Sequence, residues 1–318
     1  MNIEYYEYFN NTKANYIIDH YEDIKTKFRP ESEERLNNIN MDPLTLFKKY
    51  VAKSKPNKSN HSVKVSYKQN KDVGRFFAVG SLSLQSLPRE IRQTISEEFY
   101  YDVDIKNCHP VLLQKYAKSN KLSYKYIKIY NELRDDLLKG YSEDFNVKKS
   151  DVKKSFLTIL NGGKTFLNMR GNDIPDFVQE YKKEVVTIQQ YIFENEPIYK
   201  KLGIANAKKK QELYQTKTSN ELGSTMNIML CDIENKILQC MINHLNKKDL
   251  VKSSIVMVFD GFMIPKENLN NVDIDDLLRD LEKVVHEELK YKINLDVKPM
   301  KDIIEVPKDY KPKSQSKK

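Results

Sequence analysis

Apolar and polar residues alternate in one stretch of the chain and form two short apolar runs in another. The segment FYYDVDIKN (99–107) alternates and is rich in residues that favour strands. The segment SSIVMVFDGFMIP (253–265) contains two apolar runs around Asp260-Gly261, a pair typical of tight turns between antiparallel strands. The pattern predicts a strand ending near Asp104 and a separate β-hairpin with Asp260 at its tip.

Helical spacing of apolar residues dominates the region between these two segments. Beyond Asn271, the pattern VDIDDLLRDLEKVVHEEL predicts an amphipathic helix, and YKINLDV predicts a last strand. The predicted order is therefore strand, helices, hairpin, helix and strand.

The two ends of the chain are polar. Residues 1–62 are rich in Tyr, Asn and Lys, show no sign of a chemical role, and end in KSKPNKSNHS (53–62), which predicts a loop or linker. The chain ends in KPKSQSKK, and we predict a disordered basic tail over 306–318.

The charge balance favours an anionic polymer as partner. The 318 residues include 54 Lys and Arg against 45 Asp and Glu, which gives a net charge of +9. The first residues lack the basic start and apolar run of a signal peptide, and no stretch approaches the ~18 apolar residues of a membrane span. Three cysteines, an odd number, do not suggest a disulfide framework. We therefore expect no membrane partner and a location in the cytoplasm or nucleus of a host.

The two aspartates at strand ends are candidate metal ligands. If the strand carrying Asp104 pairs with the hairpin carrying Asp260, the two carboxylates approach each other, and Mg²⁺ prefers oxygen ligands of this kind. The alternative stays open that Asp102 and Asp104 are ordinary strand-end acids and that Asp260-Gly261 is only a turn.

Several segments, in order, resemble family A DNA polymerases. Gly74-Arg75 with LQSLPR (84–89) and IRQ (91–93) is similar to the segment before the first catalytic strand of that family. YDVDIKNCHP (101–110) resembles its motif A, in which the catalytic aspartate corresponds to Asp104, a polar residue to Asn107 and a gate residue to His109.

The later segments continue the resemblance. KKSFLTILNG (153–162) resembles motif B of family A and phage-type RNA polymerases, with Asn161 where the family has tyrosine, and Ser150 or Asp151 is a candidate cap of its helix. GSTMNIMLCDIENKIL (223–238) resembles the helix behind the palm. IVMVFDGFMIP (255–265) resembles motif C, with Phe259 and Gly261 replacing the usual histidine and third acid. The short chain, the Asn-Cys-His-Pro after Asp104 and the Asn-Gly-Gly of motif B are similar to the divergent branch found in transposons and virophages.

The resemblance implies an α+β fold. Its expected form is a right-hand polymerase with an antiparallel palm sheet and helical fingers, and without an exonuclease domain. The expected regions are an N-terminal helical and polar part, the start of the palm, the fingers, the rest of the palm and a basic tail, at 1–62, 63–110, 111–215, 216–305 and 306–318.

The function implied is template-directed nucleotidyl transfer, as a DNA-dependent DNA polymerase that uses two metal ions. The expected cofactor is a pair of Mg²⁺ ions, with Mn²⁺ as a substitute, on Asp104 and Asp260, and Lys153 is the third catalytic residue. The expected nucleotide contacts are Lys149, Lys154, Leu157, Asn161, His109 and Asn107, and the expected nucleic-acid contacts are Arg75, Gln85 and Arg89. The expected partners of a monomeric enzyme are a primer-template, dNTPs and a helicase or primase.

Three other functions fit parts of the pattern. A primase or RNA polymerase would share the same palm. A nucleic-acid-binding protein with a decayed palm would explain Phe259, Gly261 and Asn161 at normally functional positions. A two-metal nuclease would explain the paired acids and leave the lysines around Lys153 without a role.

Overall fold

The protein has an α+β fold, as the resemblance implies. The computed structural model describes residues 2–28, 42–57, 60–69, 72–167, 174–301 and 303–312, and these contain twelve α-helices and two four-stranded antiparallel sheets. The finer expectation of palm and fingers stays a prediction. No helix within the described ranges is long and apolar enough to cross a membrane.

The elements are numbered in chain order. The helices are α1 (Asn11–Asp19), α2 (Tyr21–Ile24), α3 (Pro43–Ala52), α4 (Arg89–Ser96), α5 (Cys108–Ser119), α6 (Lys125–Glu132), α7 (Arg134–Asp144), α8 (Lys149–Leu160), α9 (Asp176–Asn195), α10 (Pro197–Tyr214), α11 (Glu221–Lys247) and α12 (Ile274–Leu289). The strands are β1 (Ile3–Phe9), β2 (Lys55–Asn57), β3 (Asn60–Gln69), β4 (Phe76–Ala78), β5 (Tyr100–Ile105), β6 (Val256–Val258), β7 (Gly261–Pro265) and β8 (Leu295–Lys298).

The chain forms two compact units. The first consists of Met1–Lys106 and Ile237–Lys318 and holds both sheets, and the second is Asn107–Lys236 and is helical. The predicted division into five regions stays a prediction, and its boundary at residue 62 falls within β3.

The first sheet has the order β1-β3-β2, with β4 also paired to β3. The predicted linker at 53–62 is wrong, because β2 and the start of β3 pair there, with Lys55 opposite Ser62. This part of the sheet is a short edge held by backbone hydrogen bonds. Its polar side chains carry no hydrophobic alternation, so the pattern did not indicate a strand.

The core of the first sheet contains a buried acid that composition did not reveal. Glu7 is fully buried on the inward side of β1. Its carboxylate accepts hydrogen bonds from the hydroxyls of Tyr50 (3.0 Å), Tyr67 (2.5 Å) and Ser83 (2.5 Å) and from the Leu84 amide (2.7 Å). Burial raises the pKa of Glu7, and these four donors oppose that effect. One side chain thus ties β1 to α3, β3 and the loop after β4.

The second sheet has the order β6-β7-β5-β8, all antiparallel. The predicted strand, hairpin, helix and last strand correspond to β5, β6 with β7, α12 and β8, so these predictions are confirmed. β5 lies between β7 and β8, and its residues Asp102, Val103, Asp104 and Ile105 are each no more than 4% exposed in that central position.

Removal of the Glu7 carboxylate should destabilise the first unit strongly. Glu7→Ala leaves three hydroxyls and one amide without their shared acceptor, so we expect a loss of about 3 kcal/mol or more in the free energy of unfolding, measured by urea denaturation. Glu7→Gln keeps one oxygen acceptor and should lose less. Glu4 lies exposed on the same strand, and Glu4→Ala should leave the unfolding midpoint nearly unchanged. Equal midpoints for Glu7→Ala and Glu4→Ala would contradict this account.

Candidate functional site

The two predicted metal-ligand strands are neighbours in the second sheet. Asp104 on β5 pairs with Gly261 on β7, and the Ile105 amide donates to the Asp260 carbonyl at 3.1 Å. A Cβ atom on residue 261 would overlap the Val103 carbonyl oxygen and lie 2.5 Å from Asp104 Oδ1. The Asp104 carboxylate therefore lies directly over the residue that follows Asp260, and only glycine permits this approach.

The Asp104 carboxylate already has a cationic partner. Lys298 on β8 contacts it through Nζ, and the Asp104 side chain is 6% exposed. Lys298 also pairs across the sheet with Asp102. Burial lowers the pKa of the Lys298 ammonium; Asp102 raises it, and the positive charges of Arg89 and Arg92 lower it further.

Sequence reasoning missed Lys298. It follows the predicted last strand by one residue, and its place opposite Asp102 depends on a strand register that the sequence pattern does not give.

Asp260 lies in the two-residue turn between β6 and β7, in which Val258 pairs with Gly261. Its neighbour Phe259 has φ +55°, a left-handed conformation that costs an aromatic residue on the order of 1–3 kcal/mol. The Arg75 guanidinium carbon lies 5.0 Å from the centroid of the Phe259 ring, and Phe77 packs edge-on against that ring at 6.1 Å. The strained turn is therefore held by side chains of the β4 region.

Gln85, a predicted nucleic-acid contact, is 2% exposed. Its amide accepts from Ala78 N (3.1 Å) and donates to Phe76 O (3.0 Å) and Met257 O (2.9 Å). Because its donors and acceptor are directed at β4 and β6, Gln85 joins the two strands from inside the fold. Arg89, the third predicted nucleic-acid contact, begins α4 and is half-buried.

In the second unit, the catalytic lysine and most of the nucleotide contacts that the resemblance implies lie along the outer side of α8. Lys149, Lys153 and Lys154 are exposed, and Leu157 and Asn161 continue the same side. The helix begins at Lys149 after Lys148, which has no side-chain capping bond. The prediction that Ser150 or Asp151 caps it is therefore wrong. The last residue with extended backbone is Lys148, and both Ser150 and Asp151 already lie inside the helix.

Two predicted nucleotide contacts have structural partners. Asn161 is the C-cap residue directly after α8. Its side-chain oxygen accepts from Asn227 at 3.0 Å, and its carbonyl accepts from Asn220 at 2.7 Å. Asn107 precedes α5 in a left-handed conformation (φ +51°), and its side-chain amide donates to Asn131 at 2.6 Å. Their predicted roles stay predictions.

His109, the predicted gate residue, forms a buried ion pair. Its Nε2 lies 3.0 Å from Glu234 Oε2, and Glu234 is fully buried on α11. Burial lowers the pKa of His109, but hydrogen bonds with Cys231 and Glu234 outweigh it and raise the pKa to about 9. The imidazolium is thus bound to an acid within its own unit, a link that sequence spacing did not indicate.

Asp104 and Asp260 suit a pair of metal ions by the chemistry of their donor atoms, but their surroundings do not support such a site. Asp104 and Asp260 offer oxygen atoms of the kind that Mg²⁺ prefers. Within the described ranges, no group of three or more His, Cys, Asp or Glu residues could hold a metal ion, and the Lys298 ammonium lies against Asp104. The two-ion site stays a prediction.

Addition of one methyl group at Gly261 should disrupt the strand pairing. Gly261→Ala pushes a Cβ atom against Val103 O and Asp104 Oδ1, so we expect a loss of about 1–3 kcal/mol or more in the free energy of unfolding. Gly140, within α7, has no atom within 4 Å of such a Cβ. Gly140→Ala should therefore stabilise the protein by up to ~1 kcal/mol. Chemical denaturation measures both, and equal effects would refute the close approach.

The His109 ion pair should make stability depend on pH. Folding raises the pKa of His109 from 6.5 to about 9, so its contribution is complete below pH 6.5 and is lost as pH rises through 9. We expect urea denaturation to show a loss of roughly 3 kcal/mol over that range, and His109→Gln to flatten the profile. Exposed His286→Gln is the matched control and should keep the slope. A profile unchanged in His109→Gln would contradict the assignment.

Comparison with known proteins gives one informative similarity. No protein-family model matches the chain. The chain is 29% identical over 287 residues to a Sputnik virophage protein named "Putative helicase V13", a match that covers 85% of this chain and 34% of that protein. The chain thus spans about a third of the length of the relative it matches.

This similarity corrects the polymerase interpretation. The matched protein is named a helicase, and neither a DNA polymerase nor its primase and RNA polymerase variants are supported. The predicted family, nucleotidyl transfer and DNA polymerase enzyme class are therefore wrong. The segment resemblance misled because an acid at a strand end, a basic helix and an Asp-Gly hairpin also arise from ordinary fold requirements. Gly261 illustrates this, since the close approach of β5 requires glycine there.

Proposed function

We propose that this chain is a nucleic-acid-binding module of a helicase-like protein. The observation that carries the proposal is the similarity over 287 residues to a virophage protein named a helicase. The net charge of +9 agrees with a polyanionic partner. The proposal concerns binding, since the match covers 34% of that relative.

We do not assign the NTP-driven motor of a helicase to the described residues. A phosphate-binding loop leads from a strand into a helix, whose N-terminal amides cradle the phosphates. Gly162-Gly163-Lys164-Thr165 resembles such a loop in sequence, but it follows the C-terminal end of α8. Carbonyl groups and the negative end of the helix dipole are located there, which disfavours a phosphate.

The exposed basic face of α8 is the proposed contact for the phosphate backbone. Lys149, Lys153 and Lys154 are exposed within one helical turn and a half, while Val152 and Phe156 anchor the helix inside the unit. Lysines held on a rigid helix can neutralise neighbouring phosphates and release their counterions. Binding of this kind requires no metal ion.

Salt dependence of binding tests this proposal. We expect the full chain to bind labelled DNA, with an affinity that falls steeply as salt rises in fluorescence anisotropy titrations. Replacing Lys149, Lys153 and Lys154 by Ala should weaken binding regardless of sequence. The log–log salt slope should fall by about 1 for each phosphate that is no longer neutralised.

The matched control removes three exposed lysines on other helices. These are Lys128, Lys183 and Lys283, paired with Glu132, Glu180 and Glu287. The control triple variant has the same net charge and should keep most of the slope. Equal losses of affinity in both triple variants would show that net charge alone, and not the face of α8, accounts for binding. A full chain that binds no DNA at low salt would refute the proposal.

A further inference from the structure

The outward face of the first sheet carries aromatic and basic side chains together. Tyr6 on β1 is 41% exposed and lies opposite Lys64 on β3. Phe77 on β4 is 43% exposed and lies opposite Lys68 on β3. Because paired residues project to the same side of a sheet, these four residues share one solvent-facing surface. Lys64 also pairs with Glu4 on that surface, at 2.7 Å.

The aromatic surface extends from the sheet to the turn that carries Asp260. Phe77 packs edge-on against Phe259 with ring centroids 6.1 Å apart, and the Arg75 guanidinium lies over the Phe259 ring at 5.0 Å. A guanidinium stacked on an aromatic ring forms a flat, cationic extension of that ring. We call Arg75, Phe77 and Phe259 the aromatic platform.

The platform is held in place from beneath. The buried Gln85 amide donates to the carbonyl oxygens of Phe76 and Met257, which lie next to Phe77 and near Phe259 in the chain. One side chain thereby fixes β4 relative to β6. A rigid position limits the entropy lost when a ligand stacks on the platform.

The chemistry of the surface selects its ligand. Exposed aromatic side chains with lysine and arginine alongside suit a base that stacks and a phosphate that pairs with a cation. In a duplex the base faces are covered by neighbouring bases, so only an unpaired strand offers them. A protein partner would gain little from an apolar area interrupted by Lys64 and Lys68, whereas a polyanion complements those charges.

We infer that the aromatic platform binds the bases of single-stranded nucleic acid, with the strand running toward Lys68 along the outward face of the first sheet. This inference rests on the proposed nucleic-acid-binding function and specifies the form of the ligand. It uses residues of the first unit only, separate from the basic face of α8.

An abasic oligonucleotide isolates stacking from charge. It keeps the phosphates of a single-stranded DNA and lacks the bases over its central stretch. We expect the wild-type full chain to bind the intact strand about tenfold to hundredfold more tightly than the abasic strand, by fluorescence anisotropy at fixed salt. Phe77→Ala should bind both strands at the weaker level, and Phe77→Trp should keep the preference.

The controls separate this inference from the proposed function. Tyr214 is 55% exposed in the second unit, and Tyr214→Ala should keep the wild-type preference. Equal binding of intact and abasic strands by the wild type, or an unchanged preference in folded Phe77→Ala, would overturn the platform while DNA binding stands. Failure of the wild type to bind either strand at low salt would overturn both proposals.

Discussion

The pairing of β5 with β7 is the contact on which the centre of the first unit depends. It places Asp104 against the backbone of Gly261 so closely that no side chain fits there. β5 also anchors the turn that joins β6 to β7, because the Ile105 amide donates to the Asp260 carbonyl at 3.1 Å, and Phe259 in that turn carries the ring that Arg75 covers. One backbone approach therefore determines where the acids, the strained aromatic residue and the guanidinium lie relative to one another.

The protein buries charged groups and stabilises each one differently. Glu7 is surrounded by neutral donors, three hydroxyls and one backbone amide. Asp104 is paired with a half-exposed lysine, and Glu234 with an imidazolium. A buried acid costs several kcal/mol unless such partners are supplied, so these three sites constrain the fold more than surface ion pairs do.

Much of the second sheet was predictable, because its strands carry regular hydrophobic patterns. β5, the hairpin and β8 lie where alternation and the Asp-Gly pair indicate, and the buried residues of α11 from Met226 to Cys240 recur at helical spacing. The first sheet was not predictable, since β2 is polar and Glu7 looks like a surface acid in a tyrosine-rich segment.

The site was predictable only as far as neighbouring strands. Sequence order indicated that Asp104 and Asp260 belong to strands that meet, but Lys298 and Gln85 act through register and burial, which no local pattern encodes. The resemblance of short segments then suggested catalytic or binding roles for residues whose contacts within the fold explain much of why they are present. The similarity to the virophage protein named a helicase is stronger evidence than these short segments, because it spans 85% of the chain.

Gln85 has a consequence for the free edge of β4 in the first sheet. β4 is a short strand that carries the exposed Phe77, and an open strand edge is a template for pairing between molecules. The Gln85 side chain accepts a hydrogen bond from the Ala78 backbone amide and donates one to the Phe76 carbonyl. These two backbone groups are then not available to pair with a strand from another copy. The aromatic surface can therefore face solvent without seeding intermolecular sheets at that edge.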